Sequence, residues 1–283
     1  DACYEAKIPF VLAHALYLGL IHGGKKKNDR IDSEKLAQLL RSNMIPTSYV
    51  YPAERRPVRD LLRLRTRHVW DRAEQLGSLQ RGLIAHNLPE APRNQSKDRH
   101  PWFEEILERH THPMDRMAAQ SRMKLIELLD EQIEKLEWAV MKQTKLMRNA
   151  ELAIVTSVPG IGSVLGLTIL HEMDTVERFE TVQDFCSYCR LVKGSVESGG
   201  KIKGLRGGKM GNAYLKWAFH EAAILSKRAH PYLKDYAARL EKEHGKFVGN
   251  AILAHKLARA VYYMLKNKTT FDPKEFAGKT MKN

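Results

Sequence analysis

The stretch from Glu151 to Leu170, ELAIVTSVPGIGSVLGLTIL, consists of two apolar runs parted by one proline and two glycines. Ala153 to Val158 and Val164 to Leu170 carry too little polar surface for helices with one wet face, so both read as buried helices. Pro159, Gly160 and Gly162 break the chain between them into a tight turn. Two core helices joined this way predict a mostly helical C-terminal region. Helical patterns continue through Val182 to Tyr188, Ala213 to Lys227, Pro231 to Lys242 and Phe247 to Leu265. The exception is Leu191 to Gly211, which holds seven of the chain's 18 glycines.

Chemistry enters at the turn and at the glycine-rich stretch. Val158-Pro159-Gly160-Ile161-Gly162 resembles the hairpin of a helix-hairpin-helix motif. There Gly160 and Gly162 let the backbone approach a phosphate, and the N–H groups opening the second helix face the anion. A tight turn that packs and binds nothing accounts for the same residues. In the glycine-rich stretch Lys201, Lys203, Arg206 and Lys209 stand against the single carboxylate Glu197, and the hydroxyls are Ser195 and Ser198. Composition predicts a mobile basic loop that contacts nucleic acid. A serine flanked by glycine and cations could also serve as a nucleophile toward a phosphodiester, since the cations would stabilise both alkoxide and transition state.

Upstream, Pro113 to Asn149 reads as one long helix. Ile126, Leu129, Ile133, Leu136, Val140 and Met147 follow a heptad alternation broken only at Gln143, and charged residues fill the other faces. The seam could close within the chain or between two chains; pairing between chains, and so a homo-oligomer, is the expectation. A polar connection from Asn87 to Pro101 separates this helix from another, Glu54 to His86. The latter carries eight arginines between Arg55 and Arg81 and no lysine. A solvated face would explain the charge run. Guanidinium forks fit phosphate oxygens, which makes Arg55, Arg56, Arg59 and Arg63 candidate nucleic-acid contacts. At the N-terminal end, Ala2 to Ala6 reads as a strand, Val11 to Leu20 as a buried helix and Ile31 to about Asn43 as a second helix. Asp29 and Asp32 share one face at the entry of that second helix. With Glu5 they could form an oxygen cage for Mg2+, although helix capping explains the same spacing.

Composition bounds the function. The 283 residues hold 47 Lys and Arg against 33 Asp and Glu, a net charge of +14, with a pI near 9.6. This points to a polyanionic partner, nucleic acid first and an acidic membrane surface second. Three cysteines cannot build a disulfide framework, and Cys186-Ser187-Tyr188-Cys189 lacks a second pair for zinc, so the pair reads as core in a reducing, cytoplasmic setting. The most apolar stretch, Ile8 to Ile21, has 14 residues including Pro9 and His14, too few to cross a bilayer. The prediction is a soluble protein without a membrane partner. Gly160-Ile161-Gly162 lacks the third glycine of a dinucleotide fingerprint.

In combination these pieces resemble the DEDD transposases of the insertion sequence 110 family, whose relatives include the Piv-type DNA invertases. Tyr4-Glu5-Ala6 is similar to the family's second acidic motif, and Lys27-Asn28-Asp29-Arg30-Ile31-Asp32-Ser33 to its K-x-D-x-x-D-A element. Val158 to Gly162 looks like the start of its transposase domain. Tyr188-Cys189-Arg190-Leu191-Val192, Glu197-Ser198-Gly199-Gly200-Lys201 and Gly207-Gly208-Lys209-Met210-Gly211-Asn212 follow in order. The resemblance implies part of a RuvC-like, RNase H-fold nuclease domain over residues 1–50, with α/β structure. A helical linker with basic helix and coiled coil would cover 51–150, and an α-helical transposase domain with a helix-hairpin-helix 151–283. It implies Glu5, Asp29 and Asp32 as Mg2+ ligands, Ser198 as the nucleophile with Ser195 the neighbouring alternative, DNA as substrate and a noncoding bridge RNA as guide. The family's first aspartate lies on an earlier strand that this chain does not contain, so an N-terminally incomplete catalyst is expected. A metal-dependent nuclease that uses water, or a DNA-binding remnant without catalysis, are the alternatives.

Overall fold

The computed structural model describes residues 1–21, 28–90, 99–192, 194–199, 201–206 and 210–278. They divide into two compact units, residues 1–57 with 193–211, and residues 58–192 with 212–283.

The first unit departs from expectation at its start. Ala2–Glu5 is a helical turn, α1, and not a strand. Its backbone bonds are local, Glu5 N donating to Asp1 O at 2.9 Å and Ala6 N to Ala2 O at 2.9 Å. A strand needs a neighbour to satisfy its N–H and C=O groups. In residues 1–57 the only described pairing is the isolated bridge between Ala13 and Thr47, so the chain closes its bonds locally. The expected buried helix is shorter, α2 at Ala15–Ile21, and Val11, Leu12, Leu16 and Tyr17 are exposed. α3 spans Asp29–Arg41 and follows the prediction. Asn28 caps it, its Oδ1 accepting from Ile31 N at 2.8 Å, with Asp29 and Asp32 in the first turn and Arg41 in the last. Negative charge at the N-terminal end and positive at the other both favour the helix dipole.

This unit also holds a second departure. The expected loop contains an antiparallel hairpin, β1 Gly194–Ser198 and β2 Lys201–Arg206. Gly199 takes φ +61°, the left-handed conformation that tight two-residue hairpin turns require. Composition alone suggested mobility, but a Gly-Gly dipeptide between Val196 and Ile202 is a turn signal.

In the second unit two long helices form where periodicity places them, α4 at Arg56–Ala85 and α6 at Pro113–Met147, and a further helix not expected from the sequence, α5, spans Arg99–Arg109. The heptad seam closes inside the chain. Ile126, Leu129, Ile133 and Val140 are buried, and Leu136 is half-buried. Ile126 packs in one cluster with Leu79 and Leu83 of α4 and Phe103 and Ile106 of α5. Val140 joins Val58 and Leu62 in the main core. The flanking ion pairs Arg65–Glu137 and Arg72–Asp130, both 2.5 Å, run in opposite directions along the two helices, so α4 and α6 are antiparallel. The seam therefore does not serve as the expected joint between chains; α4 and α5 take its apolar side because they are covalently at hand.

The remaining helices are α7 Asn149–Thr156, α8 Ser163–Met173, α9 Val182–Tyr188, α10 Ala213–Ala229, α11 Pro231–His244, α12 Lys246–Asn267 and α13 Pro273–Gly278. Their core includes Val155, Leu167, Ile169, Phe185, Phe219, Leu253, Leu257 and Tyr262, all buried together. The all-round apolar character of α7 and α8 in the sequence thus reports a central position. No described helix is long and apolar enough to cross a membrane.

Candidate active site

The serine candidates sit on the hairpin. Ser198 ends β1, opposite Lys201 across the turn, while Ser195 lies opposite Leu205. The register shifts between Val196 and Glu197, because Val196 pairs with Gly204 and Glu197 with Ile202. Lys203 is thereby the extra residue of a bulge, which locally increases twist. Lys201, Lys203 and Arg206 all belong to β2; Lys209 lies outside the described residues. Five backbone pairings position Ser198 far more closely than a glycine-rich loop would.

In the second unit lies a buried polar network. Asn212 N donates to Tyr188 O at 2.6 Å, which ties the residue entering α10 to the end of α9. Asn212 Oδ1 caps α10, accepting from Tyr214 N at 2.9 Å and Leu215 N at 3.0 Å. Its Nδ2 donates to Glu172 Oε2 at 2.6 Å. Glu172, 2% exposed, receives a bidentate pair from Arg63, Nε at 2.6 Å and Nη2 at 2.7 Å. This hydrogen bond, opposed by burial, raises the Arg63 guanidinium above its ordinary range. The Arg63 guanidinium also lies 5.1 Å from the Tyr214 ring centre, and Tyr214 stacks on Trp70 with planes 9° apart. One carboxylate thus joins α4, α8 and the start of α10. Sequence reasoning passed over Glu172; its signal was a carboxylate inside an otherwise apolar helix, which burial permits only with partners.

The arginine helix is engaged in the same manner. Arg63 holds Glu172, Arg56 holds Asp1 at 2.7 and 2.9 Å, and Arg59 approaches Asp60 at 3.4 Å. Arg55 lies in the short 3-10 turn before α4. Guanidinium forks were expected to find phosphates, and the structure supplies carboxylates at Arg56 and Arg63. A phosphate would have to compete with them.

Glu5, Asp29 and Asp32 are not brought together. Among the described residues no group of three or more His, Cys, Asp or Glu could hold a metal ion. Asp29 and Asp32 remain neighbours in the first turn of α3, where capping and dipole account for them, while Glu5 belongs to α1. The residues do not fit a shared Mg2+ site, and no step runs through one.

The turn between α7 and α8 divides its two glycines. Gly160, at φ +93°, meets the backbone of α10: a Cβ there would sit 2.3 Å from Ser226 N. Gly160 thus serves close packing. Gly162, the N-cap of α8, faces open space, and no side chain caps the helix it opens. Gly160→Ala should therefore cost about 2 kcal/mol through the left-handed φ and the clash. Gly162→Ala should leave the urea midpoint within error. Equal midpoints for the two variants would contradict this assignment.

Cys186 and Cys189 are fully buried. Burial pushes the Cys186 thiol up to about 11 and that of Cys189 well above its ordinary value. Neither is a thiolate at neutral pH, so neither is poised for metal or redox chemistry. A colorimetric thiol reagent should titrate Cys3 quickly and the other two only after denaturant. Three fast thiols in the native protein would refute the burial.

Residues 152–238 match the family model described as Transposase IS116/IS110/IS902 family. The match supports a DNA transposase of that family, and with it DNA binding. No curated protein matches the chain.

Proposed function

We propose that this protein is a DNA transposase that cuts and rejoins strands through the hydroxyl of Ser198. The observation that carries the reading is the family match over residues 152–238, which encloses the hairpin bearing Ser198, Ser195, Lys201, Lys203 and Arg206. The net charge of +14 supports the same substrate.

In this reading the Ser198 hydroxyl gives up its proton to solvent and its oxygen attacks phosphorus. The phosphorus–oxygen bond to the departing strand breaks, and the released hydroxyl takes up a proton. Lys201, Lys203, Arg206 and Lys209 offset the added charge on phosphorus. The serine ester conserves the bond until a hydroxyl of a second strand attacks it and frees the serine. The buried Arg63–Glu172–Asn212 network holds the N-terminal end of α10, next in sequence to the hairpin, in one arrangement. A noncoding guide RNA belongs to this reading through the resemblance to the insertion sequence 110 family. Assembly into a dimer or tetramer is supported by the exposed apolar residues Leu125, Leu128 and Trp138 on α6.

One observation favours a second reading, a DNA-binding remnant without catalysis: the carboxylates Glu5, Asp29 and Asp32 do not gather. Both readings require DNA binding dominated by phosphates. Affinity for duplex DNA should fall steeply with salt, a protein with 6–10 phosphate contacts losing roughly 1,000-fold or more between 50 and 200 mM. Affinity independent of salt would overturn both, and covalent capture of DNA separates them.

A further inference from the structure

Phe247 is 88% exposed, more than any other large apolar side chain among the described residues. It stands in the first turn of α12, at a corner where every residue from Lys242 to Val248 is exposed. An aromatic ring held in water on a helix costs hydration free energy that a partner would recover.

Cations outnumber acids at the corner, Lys242 and Lys246 against the exposed Glu243. A Cβ on Gly249 would sit 2.9 Å from Glu241 N, so α12 leaves α11 by close backbone contact and the ring is carried on a fixed platform. Of the nearby acids, Glu241 is bound by Lys227 at 2.6 Å, and Glu243 lies 3.5 Å from His244. Lys242 and Lys246 remain exposed on either side, and the first turn of α12 contains no acid. Gly245 caps α12 without a side-chain bond to its opening N–H groups. On α10, Ile224, Leu225 and Arg228 are also exposed.

In a chain of net charge +14, a projecting ring flanked by Lys242 and Lys246 suits a base and its flanking phosphates. We propose that the α11–α12 corner is a nucleic-acid contact in which Phe247 stacks on an unpaired base while Lys242 and Lys246 hold the neighbouring phosphates. Lys242, Lys246 and Phe247 lie outside the stretch that matches the transposase family, residues 152–238. The proposal rests on the reading of the protein as a DNA-binding transposase, and supplies that reading with a contact for single-stranded or distorted DNA, the form in which strands are exchanged.

The test is fluorescence anisotropy of the full chain with two labelled oligonucleotides of one sequence, an intact duplex and a duplex with a short single-stranded gap. Phe247→Ala should lower affinity for the gapped DNA about tenfold and change the intact duplex far less, because stacking acts only on a base that is free. Phe247→Trp should restore gapped binding. Lys242→Ala with Lys246→Ala should weaken both oligonucleotides and flatten the salt dependence. Wild-type affinity for the gapped DNA in Phe247→Ala would overturn the proposal and leave the transposase reading standing. Absence of any DNA binding by the parent would overturn both. A change of sedimenting mass in Phe247→Ala with gapped binding intact would reassign the corner to a protein interface and overturn the proposal.

Discussion

Ser198→Ala should abolish a denaturant-resistant protein–DNA adduct while leaving DNA affinity nearly unchanged. The two effects separate because one hydroxyl adds little to an interface made of phosphate contacts, yet in the proposed reaction it supplies the oxygen that forms the ester. The reaction should contain DNA with its guide RNA and Mg2+ in the buffer, be quenched in detergent, and be read as a labelled strand travelling with the protein. Digestion and mass spectrometry should then place the bound nucleotide on Ser198, next to the turn at Gly199 and opposite Lys201. Ser195 lies three residues earlier and opposite Leu205. An adduct lost in Ser195→Ala and kept in Ser198→Ala would move the nucleophile along β1 and keep the chemistry. Adducts retained by both single variants and by the double variant would refute serine attack.

The helical C-terminal region was legible because its signals are local and redundant. Continuous apolar runs at Ala153–Val158 and Val164–Leu170 can be satisfied only in the middle of a core, and that is where α7 and α8 lie. The heptad in α6 was equally clear, but periodicity states which side of a helix is apolar and not which partner covers it. Leu79, Leu83, Phe103 and Ile106 lie on helices far from Ile126 in sequence, and their convergence depends on chain connections. The N-terminal segment failed for a related reason. Ala2 to Ala6 has strand composition, yet strand structure is a property of pairs, and in residues 1–57 the only pairing described is the Ala13–Thr47 bridge.

The candidate site was half legible. Glycines and hydroxyls marked the hairpin, but its bulge and the register Ser198 opposite Lys201 are properties of paired strands that a composition count passes over. The arginines of α4 show a different limit. A guanidinium fork fits carboxylate and phosphate equally well, so residue type could not say that Arg63 would find Glu172, more than one hundred residues away. Gly160 shows the same limit for glycine, which is demanded both where a phosphate approaches and where a helix backbone does.

The network around Glu172 leads to the largest expected loss of stability. Glu172→Ala leaves the desolvated Asn212 amide with only its long 3.4 Å contact to Tyr188 Oη and removes both hydrogen bonds from Arg63. Removing one member of a buried pair costs about 3–5 kcal/mol. The Arg63 side chain is 36% exposed and can turn toward water, which places the expected cost near the lower end, about 3 kcal/mol. Glu172→Gln keeps an acceptor for Asn212 and gives up the charge opposite Arg63, so its urea midpoint should fall between those of Glu172→Ala and the parent. The pair Arg63→Met, Glu172→Met should lose less than the sum of the single changes, because neither partner is then left alone in the core. Additive losses would show that the two side chains act independently despite their 2.6 Å contact. A further consequence separates positioning from simple stability. Asn212 caps α10 and ties it to Tyr188, so in Glu172→Gln, assayed well below its unfolding midpoint, hydrogen exchange should rise at Tyr214 and Leu215 before the rest of α10. Uniform loosening of the whole helix would instead mark Glu172 as an ordinary core ion pair.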